Sequence, residues 1–253
     1  SIMNTAAQLK CTATATDDDG GTPSFSYVWA NSTAGTTYSS TSQTLTLSPT
    51  DTSPTDKVTC TVTATDADGG EDTASDTVTI VNTDPVVGTV SISSSDGANI
   101  YTDSVLTCSA SATDADGETP TKTYQWRKNS STTAFATTAS ITLDPAVIAP
   151  GDSVTCRITA TDGYSGTDAN ATTVSVQNTD PTVTTPAITP VSAFNDSRLT
   201  CTATGNDVDD GALTVSYAWT NRSTTASLGT GSAVTLTSAD ASPGDKIECT
   251  ASV

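Results

Sequence analysis

Short stretches in which apolar and polar residues alternate recur along the whole chain. Leu9, Cys11, Ala13 and Ala15 fall on one side of a period-two pattern, and Thr12, Thr14 and Thr16 on the other. The same alternation marks Leu106-Cys108-Ala110-Ala112 and Val154-Cys156-Ile158-Ala160. Shorter versions occur at Leu45/Leu47, Ile141/Leu143, Val234/Leu236, Val78/Ile80 and Val174/Val176. Period two sends successive side chains to opposite faces, so these runs predict half-buried strands. Threonine suits the outer face, because its branched Cβ fits a pleated surface while its hydroxyl stays hydrated. Nothing reads as a long amphipathic helix, and the expected fold class is all-β.

The strands belong to a repeat. Cysteines stand at 11, 60, 108, 156, 201 and 249, and Cys11, Cys108 and Cys201 are each followed eighteen residues later by a tryptophan, Trp29, Trp126 and Trp219. A tyrosine lies two residues before each tryptophan, at Tyr27, Tyr124 and Tyr217. The period is 97 residues from Cys11 to Cys108 and 93 from Cys108 to Cys201.

Cysteine on a second strand, tryptophan on a third and cysteine on a sixth is an arrangement that resembles the immunoglobulin superfamily, over the whole chain. The resemblance implies tandem immunoglobulin-like β-sandwiches, each with one inter-sheet disulfide: Cys11–Cys60, Cys108–Cys156 and Cys201–Cys249. Closing a loop of about 50 residues contributes roughly 4 kcal/mol by chain entropy. Val58, Val154 and Ile247 stand two before the later cysteines, where antibody-type domains carry a tyrosine. The closer likeness is therefore to the immunoglobulin-like repeats of large microbial surface proteins. The other readings of the cysteines are a zinc site or buried free thiols. Zinc favours closely spaced cysteine pairs with histidine, and this chain has no histidine. Disulfides place it in an oxidising compartment, outside the cell or on its surface.

Composition supports small stapled units. Only 34% of the residues are hydrophobic and 5% aromatic, so no single large core is available. The signatures Val-Asn-Thr-Asp-Pro at 81–85 and Gln-Asn-Thr-Asp-Pro at 177–181 set boundaries, giving domains at 1–82, 83–178 and 179–253. The first and third of these are shorter than the second, before Cys11 and after Cys249 respectively. A longer array of the same repeats is the favoured expectation, and a strand supplied by a neighbouring copy the other.

With 28 acidic and 9 basic side chains the formal charge is −19, which disfavours nucleic acid and anionic membranes as partners. No apolar run approaches a membrane span. The carboxylates are ordered. Asp17, Asp66, Asp114, Asp162 and Asp207 each lie six residues after a cysteine, and Asp19, Asp68, Asp116 and Asp209 follow two later. The loop after Cys156 departs from D-x-D, with Asp168 as a substitute. In such a sandwich the two cysteine strands run the same way, and six residues rise about 20 Å, so both acidic loops emerge at one pole. The Asn-Thr-Asp-Pro connector arrives there too, bringing Asn82 and Asp84, or Asn178 and Asp180. Carboxylates so gathered repel unless a cation neutralises them, and hard oxygen ligands at this spacing suit calcium. Plain acidic turns are the alternative. The layout is similar to cadherins and bacterial cadherin-like repeats, which implies calcium at each junction stiffening a rod, although no glutamate ligand of the cadherin pattern is identified.

Asn31, Asn129, Asn170, Asn195 and Asn221 sit in N-x-S/T triplets; these are either acceptors for N-linked sugar in a suitable host or chance matches in a chain rich in asparagine, serine and threonine. Without histidine there is no His-based triad, and no phosphate loop or nucleophile elbow occurs, so an enzyme is not expected. Two functions remain: a calcium-stiffened stalk or filament contacting further repeats or copies of itself, and an adhesin gripping a surface glycan or protein. The repeats differ most at 31–44, 129–140 and 221–233, where specificity would sit, and no aromatic cluster there favours the adhesin.

Overall fold

The computed structural model describes residues 4–253, and every regular element among them is a β-strand. Three buried clusters form in chain order, one around each cysteine pair. In the first sandwich, Gln8–Lys10 pairs with Thr44–Thr46 and faces a sheet ordered Thr36–Thr37, Ser24–Asn31, Lys57–Thr65, Glu71–Thr79. In the second, Val105–Ser109 lies between Ser140–Thr142 and Ser91–Ser94, facing Thr121–Lys128, Ser153–Thr161 and Thr167–Ser175. The third sets Ala187–Thr189, Arg198–Thr202 and Ala233–Thr235 against Ala226–Thr230, Ser216–Asn221 and Ile247–Ser252. The chain is thus a series of immunoglobulin-like sandwiches. Disulfides Cys11–Cys60, Cys108–Cys156 and Cys201–Cys249 cross between the sheets, each with Cα atoms 6.4 Å apart.

The tryptophan spacing has a direct structural cause. Trp29, Trp126 and Trp219 stand opposite Cys60, Cys156 and Cys249 in the strand register, so each indole covers its own disulfide. All three are buried, and each indole N–H donates to a backbone carbonyl, of Ser42, Thr138 or Gly231, at 2.8–2.9 Å. That bond removes the one polar liability of the side chain. Truncating such an indole costs about 3–5 kcal/mol.

One expectation needs correction. Residues 12–16 form no strand, although their alternation continues from Gln8–Lys10. In the second sandwich the matching segment, Ala112–Thr113, is a strand because Val86–Val87 pairs with it. Residues 12–16 have no such partner among the described residues, and alternation alone does not make a ladder. At the N-x-S/T triplets of Asn31 and Asn221 both asparagine side chains are fully buried. Asn31 Nδ2 donates to Asp56 Oδ2 at 2.6 Å, while its Oδ1 accepts from the Thr33 and Ala34 amides. Asn221 repeats the buckle with Asp245 at 2.8 Å, and Asn129 with Asp152 at 2.8 Å.

Candidate metal centre at the junction between sandwiches

The first aspartate of each acidic loop shapes the loop itself. Asp114 Oδ1 accepts the Asp116 amide at 2.8 Å, Asp207 Oδ1 that of Asp209 at 2.7 Å, and Asp66 Oδ1 that of Asp68 at 2.9 Å. Asp17 does the same for Asp19 at 3.0 Å. A carboxylate that caps a backbone N–H two residues on is an Asx turn, and it explains the fixed spacing of two. Gly117 completes the turn with a φ of 91°, a left-handed conformation that side chains with a Cβ resist. A Cβ there would also press on Pro49 of the first sandwich.

At the junction of the first and second sandwiches the expected residues, joined by Glu118, converge in two groups. Asp114, Asp116 and Glu118 bring ligand oxygens within 4.8 Å of one another. Burial raises the pKa of Glu118, and the charges of Asp114 and Asp116 raise it further, against the opposing pull of its own backbone amide. Around Gly166 gather Asp162, Asn82 and Asp84, so closely that a Cβ on this glycine would collide with all three. Asn82 Nδ2 donates to Asp162 Oδ2 at 2.9 Å. Burial works against ionisation of Asp162, but the Asn82 amide and the Tyr164 and Gly166 N–H groups outweigh it and hold the carboxyl below its ordinary range. Asp168 Oδ2 accepts the Val87 amide at 2.7 Å, pinning the strand that leaves the connector.

Several oxygens here lack donors. Asn82 Oδ1, Asp114 Oδ2 and Glu118 Oε2 are buried with no hydrogen-bond partner among the described residues. A buried acceptor left unpaired costs about 1–3 kcal/mol, more when charged. The donor set is all hard oxygen, from carboxylates and a carboxamide. The chain has no histidine and every cysteine is in a disulfide, so calcium or magnesium chemistry fits and zinc or copper chemistry does not.

The other expected residues are less closely assembled. Asp17 and Asp66 line one open cleft of the first sandwich with Phe25 and Val62, whereas Asp19 and Asp68 are exposed. At the second junction Asp207 is buried and Asp209 half-buried, but Asn178 donates only to the Thr179 carbonyl and Asp180 is exposed. Glu118 escaped the sequence reading. The alternation Asp114-x-Asp116-x-Glu118 was the available signal, and Gly211 occupies the matching place, ten residues after Cys201.

No protein-family model matches the chain, and no curated protein matches it in sequence. Solved structures do. Three N-terminal domains of the bacteriophage RB49 highly immunogenic outer capsid protein align with 99% of this chain and 88% of theirs, at 18% identity and a TM-score of 0.27. Extracellular cadherin domains 3–6 of protocadherin gamma B2 align with 93% of this chain and 61% of theirs, at 16% identity and a TM-score of 0.31. Domains FN1–FN3 of chicken CNTN1 align with 99% and 89%, at 9% identity and a TM-score of 0.28. Likeness at this level carries no information about ligands.

Proposed function

We propose that the chain is part of an extracellular structural rod of tandem sandwiches, divided at 82/83 and 178/179, whose junctions are stiffened by calcium. The carrying observation is the set of buried, partnerless oxygens on Asn82, Asp114 and Glu118 where the first connector meets the second sandwich. A divalent cation supplies what these oxygens lack and neutralises the carboxylates around them. Asp114, Asp116 and Glu118 are one ligand group; Asn82, Asp84 and Asp162 are the other. Because Asn82 and Asp84 belong to the connector and the rest to the second sandwich, binding ties the connector to the sandwich it enters. The second junction is assigned Asn178, Asp180, Asp207 and Asp209 as a weaker site, since it lacks the glutamate. At the first sandwich Asp17, Asp19, Asp66 and Asp68 are the corresponding ligands.

Sites in extracellular modules bind calcium with dissociation constants of about 0.1–1 mM. A structural role is preferred to an adhesive or catalytic one because the acidic pole repeats with the sandwich, and the chain has no histidine to serve acid–base chemistry at neutral pH. Calorimetric titration with calcium chloride, paired with small-angle scattering in chelator and in calcium, tests this. Millimolar binding with a longer, stiffer particle is expected; absent heat and identical scattering curves would refute it.

A further inference from the structure

The structure assigns to Asp116 and Asp209 a second task, one that needs no ion: each is a positioning residue that clasps the preceding sandwich. Asp116 Oδ1 accepts the Thr5 hydroxyl at 2.7 Å and the Thr5 amide at 3.3 Å, while Oδ2 accepts the Thr83 amide at 2.6 Å. Asp209 repeats this one junction later, its Oδ1 accepting the Thr102 hydroxyl at 2.5 Å and its Oδ2 the Thr179 amide at 2.6 Å. Thr5 and Thr102 each lie six residues before the first cysteine of their own sandwich, and both are completely buried. Thr83 and Thr179 are the threonines of the two Asn-Thr-Asp-Pro connectors.

One carboxylate therefore holds three bodies: the base of one sandwich, the connector, and the loop of the next. Apart from that of the Thr5 amide at 3.3 Å, the bonds are short, and all are charge-assisted, the stronger class of hydrogen bond. The threonine donors are β-branched and stiff at χ1, so each hydroxyl is offered in a defined direction. Breaking the clasp strands a buried hydroxyl and a buried carboxylate together.

One contrast separates this task from cation binding. The second junction has Gly211 where the first has Glu118, and its clasp is nevertheless the same. The inference deepens the proposed role of the junctions without resting on the cation.

The test uses the whole 253-residue chain in chelator. Residual dipolar couplings report whether neighbouring sandwiches share one alignment frame. In the wild type the first and second sandwiches are expected to show correlated alignment already without calcium, tightened further by calcium chloride. Thr5→Val, which replaces the hydroxyl by a methyl, and Asp116→Ala are expected to lose it at that joint, with the second joint unchanged. Asp209→Ala moves the loss to the second joint. A wild-type joint loose in chelator and fixed only by calcium chloride overturns the clasp while leaving the cation reading intact. A joint fixed in chelator and indifferent to calcium supports the clasp and removes the cation reading. Thr5→Val indistinguishable from wild type also overturns it.

Discussion

Replacing Glu118 by glutamine should change the sign of its effect with calcium. Three carboxylates whose ligand oxygens lie within 4.8 Å of each other repel strongly when no cation is bound. At that separation and an effective dielectric of about 20, one pair of unit charges costs roughly 3–4 kcal/mol. Glu118 faces two such neighbours, and burial together with their charge raises its pKa, so proton uptake relieves part of the repulsion. Glu118→Gln should therefore stabilise the ion-free second sandwich by about 1–3 kcal/mol, below the full Coulomb figure. In calcium the variant lacks a charged ligand. A tenfold weaker site forfeits about 1.4 kcal/mol of the stability that saturating calcium adds. Calorimetric melting in chelator and in excess calcium chloride reads both effects, since 1 kcal/mol moves a domain of this size by about 4–8 °C. The variant should melt above wild type in chelator and gain less from calcium. If it melts lower in chelator, or if calcium raises both proteins equally, Glu118 is not a ligand under mutual repulsion.

Gly166→Ala should place a methyl against Asp162, Asn82 and Asp84; overpacking of this kind costs about 1–3 kcal/mol, and a titration should show weakened calcium binding, unless the glycine has no part in the site. Asn31→Ala should lose about 3 kcal/mol in urea unfolding, because it removes the donor to the buried Asp56 and two backbone-amide bonds. The exposed Asn170→Ala should stay within about 0.5 kcal/mol of wild type, and equal effects would count against the buckle. Asp152 is held down to about 2, by Lys128 first, then the Ala149 amide and Asn129, from an ordinary 3.8. A depressed carboxyl stabilises above its unfolded value and loses that contribution as pH falls through its folded one. The wild-type advantage over Asp152→Asn should thus be about 1–2 kcal/mol at neutral pH and vanish below about pH 2, as urea melts across that range would show.

What could be read from the sequence was whatever a residue does to its own neighbourhood. Cysteine and tryptophan spacing carried the sandwich, because Trp126 stands opposite Cys156 in one ladder and so packs over the disulfide. The D-x-D spacing was visible because Asp114 caps the amide two residues on. The same locality underlies the Asn-Ser-Thr at Asn31, whose carboxamide oxygen accepts the Thr33 and Ala34 amides. Partners across a junction leave no such mark. Thr5 and Asp116 are 111 residues apart, and Thr102 and Asp209 are 107, so neither threonine differs in sequence from the many that line the outer strand faces. Their repetition at both junctions is therefore the stronger evidence. A chance contact between two sandwiches has no reason to recur with the same donors on the same two carboxylate oxygens, whereas a joint that fixes the angle between successive units must.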